Sequence, residues 1–493
     1  MISPFLNTIW VCFGTAALAT GLGLLLAILV VCLRVPLYRW MSTLVLSLIL
    51  IPLYVQATAW SAGFGVQGWF RLSQVSAAIS PITAIGSVVW IHAMAATPVC
   101  FLFSALGLRR AVDSNSRQAL LDFGPWYALF GVLIPRSWPW ISAGAVWCVA
   151  MTGNDMVVTN LFQVPTITES LYQQVQFNDL NIGTILQAGS FAIFIGVLVF
   201  AMAWKRIPDL GSESAAPFAA VSNQAFVIGG IARWFGSLLG CVIVSMVALI
   251  PLVSLVTKAG WVATMNDGVV RRSWSPWVAI ESMLQSSSFS SEIVWSLQLS
   301  LYSTALATLL AVMVVGCVRR RWSARIAMGL AAFLLAVPGP LVNLMVIYLF
   351  DRSEPEWLGP LADRTLIAPI LAQQSRCFPI VFAVLWIASV RYGKRNERQL
   401  LLDRGLSFLT RSWIRVFAMK NPIMLATCVS FFVSFADLSS YLLVQPPQVT
   451  TVAMRMFDLL HYGIRNRESG LALTLAIAGS IPTLFLVRRF AID

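Results

Sequence analysis

The chain alternates long apolar stretches with short segments that carry most of its charge. Apolar runs fall at 5–33, 43–66, 80–107, 139–162, 181–204, 227–256, 293–318, 326–350, 366–390, 422–444 and 470–487. As helices rising 1.5 Å per residue, they are long enough to cross about 30 Å of hydrocarbon. The pattern predicts an all-α membrane protein with about eleven transmembrane helices, its termini on opposite faces. Between the runs, TITESLYQQV (166–175) and TTVAMRMFDLLHYG (450–463) have the periodicity of short amphipathic helices.

Composition fits this pattern. The chain is 58% hydrophobic and 11% charged, with a mean hydropathy of +0.81, where soluble domains carry about 25% charged residues. The net charge of +13 therefore marks the cytoplasmic side of a membrane protein rather than a nucleic-acid partner. Arg34 is the first charged residue, which predicts an outer N-terminus, a cytoplasmic C-terminus and an opening stretch that spans rather than being cleaved.

The chain also repeats itself. RQALLDFG (117–124) and RQLLLDRG (398–405) agree at six of eight positions. Around them TAALAT (15–20) matches STALAT (303–308), and Pro52, Pro98, Asp155 and Pro165 match Pro338, Pro379, Asp437 and Pro447. The reading is two parallel five-helix repeats, 1–206 and 293–493. A polar linker (207–225) and a connector helix with an outer loop (226–292) join them. Trp261, Trp274 and Trp277 in that loop suit an interfacial belt.

The repeated phrase follows basic residues in both copies, Arg109 and Arg110 in the first and Arg391, Lys394 and Arg395 in the second. It reads as a short helix beside the membrane, with Asp113 or Asn396 as N-cap and Gly124 or Gly405 as its stop. Its members are Arg117, Gln118, Ala119, Leu120, Leu121 and Asp122, then Arg398, Gln399, Leu400, Leu401, Leu402 and Asp403. Two equivalent cytoplasmic helices make two docking points.

Inside the apolar runs the candidates for a translocation path are Asn154, Asp155 and Asn160, and in the second repeat Arg376 and Asp437. An acid at that depth needs partners or water. It serves either a helix contact or a path, and Asp437 is the natural counter-charge for Arg376, which lies about 15 Å into its span. Pro52, Pro338 and Pro340 within spans point to kinks, and Gly21 and Gly23 to close helix contacts. The eight cysteines sit in or beside apolar runs without a C-x-x-C, and His92 and His461 are far apart. No metal site, catalytic residue or phosphate-binding G-x-x-x-x-G-K-[ST] is expected.

Taken together, these residues resemble the permeases of type I ATP-binding-cassette importers with both halves fused, above all the ferric-iron permeases and their thiamine and polyamine relatives. The family's loop reads E-A-A-x-x-x-G, nine residues, then I-x-L-P. Gly124 and Gly405 take the glycine position, and Gln118, Ala119 and Leu120, with Gln399, Leu400 and Leu401, take the E-A-A positions. Val132, Ile134 and Pro135 supply the first ending two residues early, whereas Arg415, Phe417 and Ala418 stand in the second. FQVPTITESLY (162–172), RCFP (376–379) and VQPPQVTTVAMRMFDLLHYG (444–463) are also similar to family phrases. The family's helix before the first copy is missing, and both family glutamates are glutamine here.

The resemblance implies a non-enzymatic permease in a bacterial inner membrane. Two copies of a cytoplasmic ATPase would dock on the repeated helices, and a periplasmic binding protein would deliver cargo. Ferric iron leads as cargo, with thiamine, polyamines or a phosphonate open. ATP would bind the partner, leaving no cofactor in this chain. An ion-coupled secondary transporter using Asp155 and Asp437 is the alternative, and a paralogue that no longer transports is also open.

Overall fold

The computed structural model describes residues 3–65, 68–69, 81–177, 179–206, 230–266, 269–285, 289–318, 321–351, 358–402, 417, 419–462 and 466–490. The expected linker 207–225, and Asp403 and Gly405 of the second phrase, lie outside them. Residues 1–206, the first half, contain α1 (Pro4–Ala27), α2 (Tyr38–Ser47), α3 (Leu53–Phe64), α4 (Pro81–Ala111), α5 (Ser114–Tyr127), α6 (Ile134–Asn154), α7 (Val157–Leu161), α8 (Ile167–Gln176) and α9 (Ile182–Arg206). The connector contains α10 (Gly230–Val244), α11 (Ile250–Ala259), strands β1 (Trp261–Asn266) and β2 (Val269–Trp274), and α12 (Pro276–Leu284). The second half contains α13 (Ser290–Cys317), α14 (Arg321–Ala336), α15 (Gly339–Phe350), α16 (Leu358–Arg364), α17 (Ile367–Leu402), α18 (Lys420–Ala436), α19 (Val452–Tyr462) and α20 (Asn466–Phe490).

These helices define a multi-pass α-helical membrane protein, but not eleven unbroken spans. Among the described residues six helices are long and apolar enough to cross: Pro4–Cys32, Thr83–Ala111, Ile182–Met202, Arg233–Ala259, Ser290–Cys317 and Ile367–Ser389. A seventh candidate, Trp322–Ala336 with Gly339–Phe350, bends by 97°. Other apolar runs are divided. The run 43–66 breaks into α2 and α3, 139–162 into α6 and α7, and 422–444 leaves helical geometry at Asp437. Proline explains the first and the bent pair. Pro52 and Pro338 have the same extended backbone (φ −58°, ψ 145° and φ −57°, ψ 139°) immediately before α3 and α15. Proline lacks an N–H and crowds the preceding turn, so each helix ends before it. Pro98 and Pro379 stay inside α4 and α17.

The halves are interleaved. Helices α1, α4 and α6 pack together, as do α13, α17 and α18. The last helix of each half crosses to the other half: α9 packs on α14, and α20 packs on α2, α3 and α11. Thr483 of α20 donates to the Ser47 carbonyl at 2.9 Å. One buried cluster joins Tyr54 and Val55 of the first half to Val346, Tyr441, Phe457 and Leu471 of the second.

Within the segments 166–175 and 450–463 lie the helices α8 and α19 that the periodicity suggested. The antiparallel hairpin β1–β2, which pairs Trp261 with Trp274, was not foreseen. Trp277 beyond it is exposed.

Close packing separates two neighbouring glycines. A Cβ on Gly23 would lie 2.6 Å from the Phe101 backbone nitrogen of α4, whereas one on Gly21 would meet nothing within 4 Å. Gly23→Ala should therefore destabilise the protein by about 1–3 kcal/mol through overpacking. Gly21→Ala should be neutral or slightly stabilising. Thermal unfolding of the two purified variants checks this, and equal midpoints would contradict the packing.

Candidate functional site

Helix α5 carries the first copy of the repeated phrase and is built as a separate unit. Asp113 caps it: its Oδ1 accepts the Ser116 N–H at 2.8 Å, and the Asp113 N–H returns a bond to Ser116 Oγ at 2.9 Å. Such reciprocal bonding satisfies two donors that a helix start otherwise leaves unpaired. Arg136, near the start of α6, grips both Asp113 oxygens at 2.8 Å. Burial raises the Asp113 carboxyl, but the Ser116 N–H and the Arg136 guanidinium outweigh it and hold it below the usual carboxylate range. This contribution is present above the unfolded carboxylate range near pH 4 and is lost as pH falls through the lower folded value.

At Gly124 the helix stops with φ 83° and ψ 174°. This differs from the left-handed helical conformation in which a glycine commonly ends a helix. A positive φ combined with extended ψ is open essentially to glycine alone. The extended ψ is what a following proline favours, and Pro125 starts the next helical stretch.

The two sides of α5 differ. Ala119 and Leu120 pack toward the core around Leu108, Ala111 and Leu133. Gln118 and Asp122 are exposed, as are Leu121, Phe123, Trp126 and Tyr127, with Leu121 84% accessible. Arg117 lies on the same helix. The second copy departs from this plan. Arg398, Gln399, Leu400, Leu401 and Leu402 continue α17 without a break from Ile367, so Asn396 lies inside a helix rather than capping one.

A second constellation lies where the helices break. Asp155 and Asp437 are not within helices but directly follow the last residues of α6 and α18, with matching extended backbones (φ −77°, ψ 135° and φ −79°, ψ 139°). The Asp155 oxygens accept the N–H groups of Val157 at 3.2 Å and Val158 at 2.9 Å, starting α7. Its Oδ2 also lies 3.1 Å from His92 Nε2 of α4. Asp155 thus has a partner that the sequence did not name: both groups are buried, 9% and 3% accessible, and form an ion pair when His92 is protonated.

Arg376 does not pair directly with Asp437. Its Nε donates to Ser440 Oγ at 3.1 Å and its Nη1 to the Leu335 carbonyl, while Asp437 accepts from Ser439 at 3.3 Å. Direct contact between opposite charges is instead made by His92 with Asp155 and by Arg136 with Asp113. Asp437 and Asp155 nonetheless act on Arg376 electrostatically.

The Leu335 carbonyl is available because the Pro338 break deprives the end of α14 of its usual donors. Asn154 Nδ2 of the first half reaches the same oxygen at 2.8 Å. Two sequence candidates from opposite repeats thus meet at one backbone atom. Asn160 lies elsewhere, between Glu169 of α8 at 3.3 Å and His461 of α19 at 2.8 Å.

Sequence reasoning missed His92 and His461. A signal for His92 exists in the repeat. The equivalent place in α17 holds Gln373, which also bonds the end of the following helix, through Ser434 at 3.1 and 2.6 Å. No group of three or more His, Cys, Asp or Glu among the described residues could hold a metal.

Comparison with protein-family models, curated proteins and solved structures returned no match.

Proposed function

We propose that this chain is the fused permease subunit of an ATP-driven importer, resembling type I permeases, in a bacterial inner membrane. In this reading its N-terminus is outside, its C-terminus is cytoplasmic, and cargo arrives from a periplasmic binding protein. The observation that carries the proposal is α5. A capped helix with an apolar outer face stands where the family's coupling motif falls, and Arg136 ties it to α6. The far end of α6 is the Asn154–Asp155 junction. A partner ATPase moving α5 would move α6 as a lever and disturb the junction about 30 Å away. The chain itself supplies no covalent chemistry and needs no cofactor.

Substrate choice is assigned to the binding protein. Each buried acid has a basic neighbour, His92 for Asp155 and Arg376 for Asp437, so the pair of acids is no argument for a bare cation. Ferric iron stands on the resemblance alone, alongside thiamine, polyamines and phosphonates.

Co-expression with a candidate ATP-binding-cassette ATPase tests the proposal. The wild-type chain should co-purify with it in stoichiometric amount and import only with ATP. Leu121→Asp with Phe123→Asp should remove co-purification while leaving the chain in the membrane. The buried His92–Asp155 pair also suits an ion-coupled carrier. Uptake by the purified chain alone, unaffected by ATP and collapsed by an ionophore, would establish that reading instead.

A further inference from the structure

The chain's two histidines have the same bonding pattern and hold the two ends of one short helix. His92 Nδ1 lies 2.8 Å from the Val88 carbonyl, and His461 Nδ1 lies 2.8 Å from the Phe457 carbonyl. A carbonyl only accepts, so each Nδ1 carries a proton. Each Nε2 then faces another oxygen: Asp155 Oδ2 just before α7, or Asn160 Oδ1 within it. Asp155 Oδ2 also accepts the Val158 N–H, and as a carboxylate oxygen it can only accept, so its contact with His92 then calls for a proton on Nε2 as well. At the other end Asn160 uses its amide nitrogen on Glu169 Oε1, which also accepts from Gln173. With neutral His461, the Nε2 lone pair would oppose Asn160 Oδ1. Turning the amide would repair that contact and set two oxygens against each other at Glu169.

Just past the second anchor the backbone is strained. Gln163, beyond the end of α7, has φ 53°, a conformation that residues other than glycine and asparagine seldom adopt. His461 belongs to the second half and α7 to the first, so this end of the helix is also a tie between halves.

We propose that α7 is a proton-operated clasp: both histidines hold it while doubly protonated, and it loosens from the second half when they lose that proton. Histidine is the side chain whose ordinary titration falls between pH 5 and 8. A hydrogen bond that only the protonated form can donate is present at low pH and lost as pH rises.

The other ionisable groups near His461 are Asp458 and Arg455 on α19 and Glu169 and Tyr172 on α8. Packed against α19, α7 brings no ionisable group, α3 brings Tyr54, and α13 brings Glu292 and Tyr302; Arg467 and Glu468 begin α20. Burial raises the Glu169 carboxyl, opposed by the Asn160 amide. Its protonation in acid leaves a carbonyl oxygen that still accepts, so the clasp survives on that side. Around His92 the charges are Asp155 and, acting on Asp155, Arg376. The elements packed on α4 add Arg136 at the start of α6 and the Cys148 thiol within it, Tyr54 of α3, Tyr38 and Arg39 of α2, and from α1 the Cys12 thiol.

Hydrogen–deuterium exchange of the purified full chain tests this without reference to cargo or energy source. The reporters are the amides of Asn160, Phe162 and Val164, bonded to the carbonyls of Met156, Val158 and Thr159 at 2.9, 3.2 and 2.9 Å. Corrected for intrinsic rates, their protection should fall about tenfold from roughly pH 6 to pH 8.5, with α1 and α4 unchanged. His461→Gln, at an exposed position, should remove a large part of that step, and His92→Gln with His461→Gln should abolish it. Should the double variant fail to fold, the single exposed variant decides. Wild-type protection that ignores pH, or a step undiminished in His461→Gln, would overturn the proposal.

Discussion

On the coupling role proposed for α5, Gly124→Pro is expected to abolish transport while leaving the chain in the membrane. Proline fixes φ near −65°, whereas the backbone at Gly124 needs +83°. The substitution therefore redirects the chain between α5 and the stretch leading to α6. Helix α5 keeps its Asp113 cap and its inner contacts but loses its fixed angle to the lever. Gly124→Ala separates conformation from sterics, because an added Cβ there meets nothing within 4 Å. Its cost is backbone strain alone, about 1–3 kcal/mol, and should appear as partial loss of coupling. Uptake and ATPase co-purification, measured together, check both variants. Normal coupling in Gly124→Pro would remove α5 from the mechanism. Gly405 cannot be argued in the same way, since it lies outside the described residues.

The second large effect is expected at Asp437. Arg376 is 4% accessible and has Asp437 and Asp155 as its counter-charges. Asp155 is already engaged by His92 and two backbone N–H groups. Asp437→Asn therefore leaves the guanidinium short of negative charge in a buried place, at a cost of about 3 kcal/mol, and folded protein should fall steeply. Arg376→Gln in the same chain should recover part of the loss, since a neutral side chain removes the uncompensated charge while its amide can still donate to the Leu335 carbonyl. Asp155→Asn should also lower abundance, because it breaks the pair with His92. Membrane abundance and thermal unfolding of the single and double variants measure these effects. Strict additivity of Asp437→Asn and Arg376→Gln would show that the two residues do not act on each other.

Much of the local structure was legible because its causes are local. The capping function of Asp113 rests on Ser116 three residues later, and the stop at Gly124 on glycine's tolerance of positive φ. The amphipathic periods of α8 and α19 act within a few turns. The repeat added a longer-range signal, because Pro52 and Pro338, and Asp155 and Asp437, recur at positions where the backbone departs from helix in both halves.

By itself the sequence determined the membrane class, the helical content and the proline breaks at Pro52 and Pro338, since hydropathy, proline geometry and capping depend on residues close together. It could not determine whether a long apolar run crosses as one helix. Hydropathy sums over a window and is unchanged when Asp155 or Pro338 divides that window in two. Tertiary structure alone decided the pairings. His92 meets Asp155 across 63 residues, Asn154 meets the Leu335 carbonyl across 181, and His461 meets Asn160 across 301. Each unites polar groups that are costly to bury alone, and which groups meet depends on the exchange of α9 and α20 between the halves. A buried polar residue announces in sequence that it needs a partner, but only the packing of distant helices determines which partner it finds.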